Sequence, residues 1–327
     1  MLLFYRNSSR DITLVLHQKE SFVADVAQMA QEISRLKEEK NAVIMAHYYV
    51  DDDVQDVADY IGDSFFLSRK ATEVDADIIV LCGVRFMGES AKVLNQDKKV
   101  LIPEIGADCP MAHMATIDHI NEVRSQYPDV AVVCYVNSTA ELKAASDVCV
   151  TSANALKIVS KLPNKDIYFI PDQNLAHYIA DQLPEKHFIF NDGFCHVHHS
   201  IRLSQVQTAK KARPEAPVLV HPECDPDVVA EADYVGSTSG IIKYVASSDA
   251  DEFIIATELG VLHELKKQNP DKRFYSAGNT QICPNMKKLS MDKLLAALRD
   301  ETPEIIMEED LMEQAKAPMM RMLELAK

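Results

Sequence analysis

One cysteine stands beside three histidines in the stretch GFCHVHH, residues 193–199. Thiolate and imidazole groups are common protein ligands of zinc and of iron–sulfur clusters, so this spacing favours a metal site. A local zinc motif has a second cysteine a few residues away, and none lies within eight residues of Cys195. Either this stretch is not a metal site, or the fold supplies further ligands from distant parts of the chain.

Such distant partners are expected because the chain repeats itself three times. Tyr135 lies 88 residues after His47 and 86 residues before His221. The same two offsets relate two more sets of three residues: Asp59, Asp147 and Asp233, and Ser64, Ser152 and Thr238. Three matches in one register indicate an internal repeat. Each repeat also ends in a cysteine, at 86 and 88 residues: Cys109, Cys195 and Cys283.

The elements that must position these cysteines alternate between strands and helices. Short apolar runs such as AVVCY and PVLV alternate with helical stretches, which is typical of parallel sheets covered on both faces. Leading helices are predicted at about residues 21–39, 116–127 and 203–212. The predicted fold is α/β, with three similar αβα three-layer domains, parallel sheets and a pseudo-threefold axis. The predicted domains are 21–113, 114–199 and 200–288, with a helical tail at 289–327 that packs on the body.

In parallel α/β units, ligands bind beyond the carboxyl ends of the strands. All three repeat cysteines follow the last strand of their unit, so we expect them to meet near the axis. Three thiolates suit an iron–sulfur cluster with one open iron, or a zinc ion with a histidine or water as fourth ligand. The spacing leaves both open. The other four cysteines lie in or beside strands and are expected to be inert buried thiols: Cys82, Cys134, Cys149 and Cys224.

Composition argues against several classes of protein. The net charge of -16 is spread along the chain, which disfavours a nucleic-acid or anionic-membrane surface. No apolar run reaches the roughly 18 residues that cross a bilayer. The first 20 residues lack the pattern of a secretory signal, and seven cysteines do not suggest a disulfide framework. We therefore expect a cytoplasmic protein that binds neither nucleic acid nor membrane.

Several segments resemble the quinolinate synthase (NadA) family between about residues 40 and 290, among them AHYYVDDDVQDVADYIGDS, YVNSTAELKAASDVCVTSANA, GFCHVHH, HPECDPDVV and CPNM. The resemblance implies one [4Fe–4S] cluster per chain, held by Cys109, Cys195 and Cys283, with an open iron acting as Lewis acid. It implies condensation of iminoaspartate with dihydroxyacetone phosphate to quinolinate, with loss of phosphate and two waters, in NAD biosynthesis. A functional link to an L-aspartate oxidase follows from the same resemblance. QICPNM supplies only one cysteine, so redox control by a local disulfide is expected to be absent.

Five side chains are predicted to be catalytic. Glu223 in HPEC is the predicted general acid/base, with a pKa raised towards neutrality by burial. His47, Tyr49 and Tyr135 are expected to orient substrate and transfer protons, and His198 to face the cavity. His196 and His199 receive no role.

Substrate binding is predicted for residues at the same ends of the units. Hydroxyls between a strand and the next helix can bind carboxylates or phosphates without net basic charge, although an ordinary helix cap is the alternative. The predicted set comprises His47, Ser64, Tyr135, Asn137, Ser152, His221, Glu223, Ser237 and Thr238. Neither G-x-x-x-x-G-K-[ST] nor G-x-G-x-x-G occurs, so nucleotide binding through those loops is disfavoured.

Three other functions compete with this interpretation. A different cluster-bearing lyase would use the open iron to remove water from a hydroxy acid. A redox sensor would use the cluster to control binding to a partner, although it would usually add a basic face or a nucleic-acid module. A zinc-stabilised binding protein would be colourless after purification.

Overall fold

The computed structural model describes residues 25–327. The expectations for the N-terminal segment, including the absence of a secretory signal and the first residues of the leading helix, lie outside the described residues. Helix α1 occupies residues 25–39. Three units follow α1 along the chain, each with a four-stranded parallel sheet.

The first unit places three helices among its strands. Its elements are β1 (Ala42–His47), α2 (Asp52–Asp56), β2 (Tyr60–Gly62), α3 (Ser64–Ala71), β3 (Ile78–Cys82), α4 (Arg85–Leu94) and β4 (Lys99–Leu101). The second unit comprises α5 (Ile117–Gln126), β5 (Ala131–Tyr135), α6 (Ala140–Ala144), β6 (Val148–Val150), α7 (Ala155–Lys161), β7 (Asp166–Ile170), α8 (Gln173–Ala180), β8 (His187–Phe190) and α9 (His196–His199).

The third unit and the tail complete the chain. The unit comprises α10 (Leu203–Ala212), β9 (Val218–Val220), α11 (Pro226–Val229), β10 (Tyr234–Val235), α12 (Thr238–Ser247), β11 (Glu252–Ala256), α13 (Val261–Gln268) and β12 (Arg273–Ser276). The tail forms α14 (Met291–Asp300) and α15 (Glu309–Leu325). Single 3₁₀ turns at Pro110–His113 and Met286–Lys288 follow the first and last repeat cysteines.

All three sheets have the same strand order. The orders are β2-β1-β3-β4, β6-β5-β7-β8 and β10-β9-β11-β12, and every pairing is parallel. The central strands are buried because helices cover both faces, so every residue of β5 and β9 is buried. The predicted α/β class with three similar αβα units and parallel sheets is confirmed.

The repeated aspartates stabilise the sheets at the amino ends of the strands. In each unit the carboxylate of this aspartate accepts a hydrogen bond from a backbone N–H in the first strand of the sheet. The donor residue lies 15 positions before the aspartate. The pairs are Asp59 with Ile44 (2.9 Å), Asp147 with Val132 (2.7 Å) and Asp233 with Val218 (2.8 Å). The backbone N–H of each aspartate returns a bond to the carbonyl of the same strand residue. This repeated motif is therefore structural.

The tail packs on the second unit and on part of the first. Helix α15 contacts α6, β6, α7 and α4, and it buries Ala315, Met319 and Met322 completely. Its last carbonyls accept bonds from Lys157 and Lys161 of α7. These lysines satisfy backbone acceptors that a helix C-terminus leaves without partners.

No helix in residues 25–327 combines the length and the apolar character needed to cross a membrane.

Candidate active site

The carboxyl ends of the first strands of all three units open into one cavity. Two positions of the repeat supply polar side chains to its wall. The residue at or just after the strand end is His47, Tyr135 or His221, and the residue two places later is Tyr49, Asn137 or Glu223. Equivalent residues from three equivalent sheets therefore meet at a single site.

The three repeat cysteines line this cavity. Cys109, Cys195 and Cys283 are partly exposed, whereas the other four cysteines are buried. An equivalent backbone hydrogen bond holds each cysteine loop to its unit. The donor is the N–H of a residue at or just before the start of a helix. The acceptor is the carbonyl of the residue two places before the cysteine. The three bonds are Arg85 to Ala107 (2.8 Å), Gln173 to Gly193 (2.7 Å) and Leu259 to Gln281 (2.9 Å).

The separation of the three sulfurs distinguishes the two metal sites that the spacing leaves open. Thiolates that share one tetrahedral zinc lie about 3.8 Å apart, given a Zn–S bond of about 2.3 Å. Among residues 25–327, the Sγ atoms of Cys109, Cys195 and Cys283 do not all lie within 4.8 Å of one another. The three sulfurs therefore do not form a ready single-ion site in the structure.

Burial raises the pKa of each of these thiols. The pKa of Cys109 rises to about 12, with the neighbouring Cys283 as a second cause. The pKa of Cys195 is raised well above its ordinary value, by burial first and then by Glu223, and that of Cys283 is also raised by burial. A bound cationic metal would offset the cost of forming three poorly solvated thiolates, so the donor set fits a metal cofactor.

Cys195, His198 and Glu223 also offer ligand atoms within 4.8 Å of one another, close enough together to hold a metal ion. Hydrogen bonds occupy these atoms here. His198 Nδ1 lies 2.6 Å from Glu223 Oε2 and 3.2 Å from Cys195 Sγ, and its Nε2 lies 2.9 Å from Thr257 Oγ1. His198 therefore connects a repeat cysteine to the candidate acid/base.

The expected rise in the pKa of Glu223 was wrong. Burial alone would raise it, but the nearby His221 and His198 and hydrogen bonds from His198 and Tyr135 outweigh burial and lower the pKa to about 2. A carboxylate that accepts hydrogen bonds in its charged form keeps that form. Glu223 is thus an ionised carboxylate near pH 7, suited to accept a proton first.

Two histidines are held as neutral donors. The backbone N–H of Tyr49 donates to Nδ1 of His47 (3.2 Å), and that of Glu223 donates to Nδ1 of His221 (3.3 Å). Burial lowers the pKa of His47 to about 4 and that of His221 to about 3. With Nδ1 accepting, the single proton of each neutral ring lies on Nε2. His221 Nε2 lies 3.3 Å from Ser152 Oγ.

The two predicted tyrosines link the units across the cavity. The Tyr49 hydroxyl lies 2.6 Å from Thr238 Oγ1 and 3.0 Å from Thr257 Oγ1, both in the third unit. The Tyr135 side chain lies beside Glu223 and Ser152 in the cavity wall. Burial raises the pKa of both phenols well above the ordinary value, so they stay protonated and can donate.

Eight of the nine predicted substrate-binding residues line the cavity. Ser237 is the exception, because its side chain caps α12 by accepting the Gly240 N–H (3.2 Å) and lines a neighbouring outer groove. Ser64 and Thr238 are the first residues of α3 and α12, and the cap of α3 is Asp63 rather than Ser64. The helix-cap alternative thus holds for Ser237 alone.

The cavity wall contains no lysine or arginine among the described residues. Three polar atoms in the wall have no partner within residues 25–327: Asp63 Oδ2, Asn137 Oδ1 and Thr151 Oγ1. Buried polar atoms normally have a hydrogen-bond partner, so these three atoms are available to form hydrogen bonds with a ligand. An anion here would be held by neutral hydroxyl, imidazole and amide groups.

Sequence reasoning missed several residues of the site. Thr151, Glu258, Asn285 and Met286 line the cavity, and Thr257 bonds to both Tyr49 and His198. Asp172 accepts the backbone N–H of Cys195. The repeat could have identified one pair, because Glu258 follows Asp172 by 86 residues. Of the two unassigned histidines, His196 lines the cavity and His199 bonds Asp225 (2.6 Å).

Comparison with known proteins agrees with this geometry. A family model described as Quinolinate synthetase A protein matches residues 31–324. The quinolinate synthase of Alkaliphilus metalliredigens is 54% identical over 297 residues, which are 91% of this chain and 98% of that protein. The quinolinate synthase of Caldicellulosiruptor saccharolyticus is 50% identical over 92% of this chain and 100% of its own length. That of Aquifex aeolicus is 46% identical over 94% of this chain and 98% of its own length.

Proposed function

The chain belongs to the quinolinate synthetase A (NadA) family, and we propose that it condenses iminoaspartate with dihydroxyacetone phosphate to form quinolinate for NAD biosynthesis. The observation that carries the proposal is the meeting of three repeat cysteines and Glu223 in one cavity whose described wall has no lysine or arginine. A zinc-stabilised binding protein would not need this set of neutral donors around an ionised carboxylate. A cytoplasmic location is part of the proposal, since all seven cysteines are unpaired.

Cys109, Cys195 and Cys283 would hold the proposed [4Fe–4S] cluster. When bound, such a cluster supplies an open iron that acts as a Lewis acid towards a substrate oxygen or nitrogen. The three sulfurs do not all lie within 4.8 Å of one another, which supports a cluster over one zinc ion. Their partial exposure leaves the cavity side of the site open to a substrate.

Glu223 is the proposed general base. Condensation requires removal of a proton beside an imine or carbonyl carbon, and an ionised carboxylate can accept it. The subsequent dehydrations require protons for departing hydroxyl groups, which a protonated Glu223 could supply. His198 Nδ1 lies 2.6 Å from Glu223 Oε2 and Tyr135 lies beside the same carboxylate, so these two side chains are the proposed support of Glu223. Burial also excludes water from this proton transfer.

Neutral donors are proposed to bind the carboxylates and the phosphate. Ser64 and Thr238 stand at the first positions of α3 and α12, where backbone N–H groups favour anions. Ser152 contacts His221, whose Nε2–H can donate to a substrate oxygen. The amide oxygen of Asn137 has no partner in the described part of the chain, and it suits the imine N–H or a hydroxyl of a substrate. His47 and Tyr49 complete the wall from the first unit.

The first test is metal analysis of protein purified without oxygen. We expect a brown protein with about four irons and four acid-labile sulfides per chain. Cys109→Ser, Cys195→Ser and Cys283→Ser should each lose the cluster. Cys82→Ala is the matched control, because Cys82 is buried in β3 away from the cavity wall and should leave iron content unchanged.

The second test is turnover. Protein with an intact cluster should form quinolinate from dihydroxyacetone phosphate and iminoaspartate generated by an L-aspartate oxidase. Dehydration of a hydroxy acid without quinolinate formation would indicate the rival lyase. Colourless protein that carries zinc, or a cluster that survives loss of Cys283, would overturn the proposed cofactor.

A further inference from the structure

Two buried carboxylates bond directly to the cysteine loops. The backbone N–H of Cys195 donates to Asp172 Oδ2 (3.0 Å), and that of Cys283 donates to Glu258 Oε1 (3.0 Å). Both carboxylate side chains belong to residues with no exposed surface. The two acidic residues are 86 positions apart, which is the offset between the second and third repeats.

Each carboxylate bonds two segments of the chain at once. The second oxygen of Asp172 accepts the Leu175 N–H (2.8 Å) in the first turn of α8, and that of Glu258 accepts the Gly260 N–H (2.6 Å) before α13. One side chain thus joins the end of the third strand of its sheet to the loop that carries the cysteine. In each link, one carboxylate oxygen bonds the start of the following helix, at Leu175 or Gly260, and the other oxygen bonds the cysteine.

A helix cap alone does not explain Asp172, and Glu258 is not the cap residue of α13. Capping requires one acceptor, and Thr116 and Thr139 perform it elsewhere in this chain with a hydroxyl. Burying a carboxylate costs more than burying a hydroxyl, and a bond to the second oxygen offsets part of that cost. In both units the cysteine N–H supplies that bond.

The first unit reaches the same result by another route. Its equivalent position is Val84, which has no acceptor, and the Cys109 N–H bonds instead to Oδ1 of the adjacent Asp108 (2.8 Å). The other oxygen of Asp108 lies 2.7 Å from His113 Nε2. Every cysteine of the site therefore has a carboxylate acceptor on its backbone N–H, although the supporting residue is not conserved between repeats.

We propose that Asp172 and Glu258 are positioning residues that fix the loops of Cys195 and Cys283 so that both thiols face the cavity and retain a metal cofactor. The inference rests on the proposed function, because it assumes that these cysteines hold the cluster. Neither carboxylate has to touch the cofactor or a substrate. Partners that orient metal ligands typically change metal affinity by roughly 10–100-fold when they are removed.

Amide substitutions test this role with little change in shape. Asp172→Asn and Glu258→Gln keep one acceptor oxygen and replace the other with an NH₂ group, which cannot accept a backbone N–H. We expect cluster-loaded variants to release iron to an excess of a strong iron chelator about 10–100-fold faster than the parent chain. Asp172→Ser provides a second route, because serine keeps a helix cap but its single hydroxyl cannot serve both N–H groups.

Matched controls lie at the other end of the same sheets. Asp147→Asn and Asp233→Asn alter carboxylates that also accept backbone N–H groups in the second and third units, far along the strand from the cysteines. Both controls should release iron at the parent rate, whatever their melting temperature. Melting of the metal-free variants by circular dichroism shows whether stability alone explains a result.

The outcomes separate the two proposals. Parent-like iron release by Asp172→Asn, Glu258→Gln and Asp172→Ser, from a parent chain that does hold iron, would refute the positioning role alone. Equally fast release from the two control variants would also refute it, since general destabilisation would then account for the loss. A parent chain that holds no metal at its cysteines would overturn both this inference and the proposed function.

Discussion

His198 Nδ1 and Glu223 Oε2 lie 2.6 Å apart, and both side chains are almost completely buried. The two residues come from different units, and His198 lies only three positions after Cys195. The imidazole of His198 therefore links the proposed base to the loop of Cys195, a proposed metal ligand. Together with the nearby His221, this contact explains why burial does not neutralise Glu223, because both imidazoles favour the charged carboxylate.

Glu223→Gln should abolish most quinolinate formation while the cluster remains. The amide has nearly the same shape but cannot accept a proton, and loss of general acid–base catalysis typically lowers kcat by 10²–10⁴-fold. The measurement is kcat on protein matched for iron content. Glu185→Gln, an exposed glutamate, serves as control and should keep parental kcat. A kcat within threefold of the parent for Glu223→Gln would contradict the assigned role.

Thr238 and Ser237 are adjacent, yet we expect different effects from removing their hydroxyls, on kcat/KM for Thr238 and on stability for Ser237. Thr238 lines the cavity and bonds Tyr49, whereas Ser237 caps α12 and faces the outer groove. Thr238→Ser should retain function, and Thr238→Val should lower kcat/KM by about tenfold, the effect of roughly 1.4 kcal/mol. Ser237→Ala should cost about 1 kcal/mol of stability as a lost cap with less effect on kcat/KM. The reverse ranking of kcat/KM would show that Ser237, not Thr238, contacts substrate.

His47 should make the fold less stable in mild acid. Its pKa in the folded chain is about 4, below the ordinary value of 6.5, so the unfolded chain binds more protons between these values. Stability contributed by the neutral ring is present above pH 6.5 and is lost as the pH falls towards 4. The loss between pH 7 and pH 5 is about 2 kcal/mol for this residue.

The His47 prediction can be measured by chemical unfolding of the metal-free protein at both pH values. His47→Asn keeps an acceptor for the Tyr49 N–H but does not titrate in this range, so the variant should lose less stability on acidification than the parent. His187→Asn is the control, because His187 lies exposed on β8. Equal pH dependence of the parent and His47→Asn would disprove the explanation.

Lys143 should stabilise the folded chain through the packing of its side chain rather than through its charge. It is completely buried, and within residues 25–327 its Nζ bonds only Ser90 Oγ (2.9 Å) and the Phe86 carbonyl (3.3 Å) of the first unit. Burial lowers its pKa, which shows that the folded chain disfavours the ammonium form. Lys143→Met preserves much of the volume and should be neutral or stabilising, whereas Lys143→Ala should cost about 2–5 kcal/mol through the cavity it leaves.

Thermal melting of both Lys143 variants checks this prediction. Ser90 keeps a bond to the Phe86 carbonyl in either variant, so no buried hydroxyl loses all its partners. A melting temperature for Lys143→Met as low as that of Lys143→Ala would show that the ammonium bonds, not the packed chain, stabilise the contact between units.

The repeat made the architecture predictable from sequence. Equal offsets between His47, Tyr135 and His221 require equivalent places in equivalent units, and continuous apolar runs require sheets covered on both faces. The same offsets selected Cys109 and Cys283 as partners of Cys195, because a parallel unit places its loops at one end of the sheet. Local sequence sufficed here since each unit is built from its own neighbouring residues.

Side-chain direction and contacts between units were decided only by the tertiary structure. Ser237 and Thr238 differ by one position, yet the helix start turns one hydroxyl to the cap and the other into the cavity. The lowered pKa of Glu223 depends on His198, which a different unit supplies. The amino-acid sequence determined which residues are equivalent, because equivalence follows from the repeat. Only the packing of the three units decided which equivalents touch, because those contacts join residues far apart in the chain.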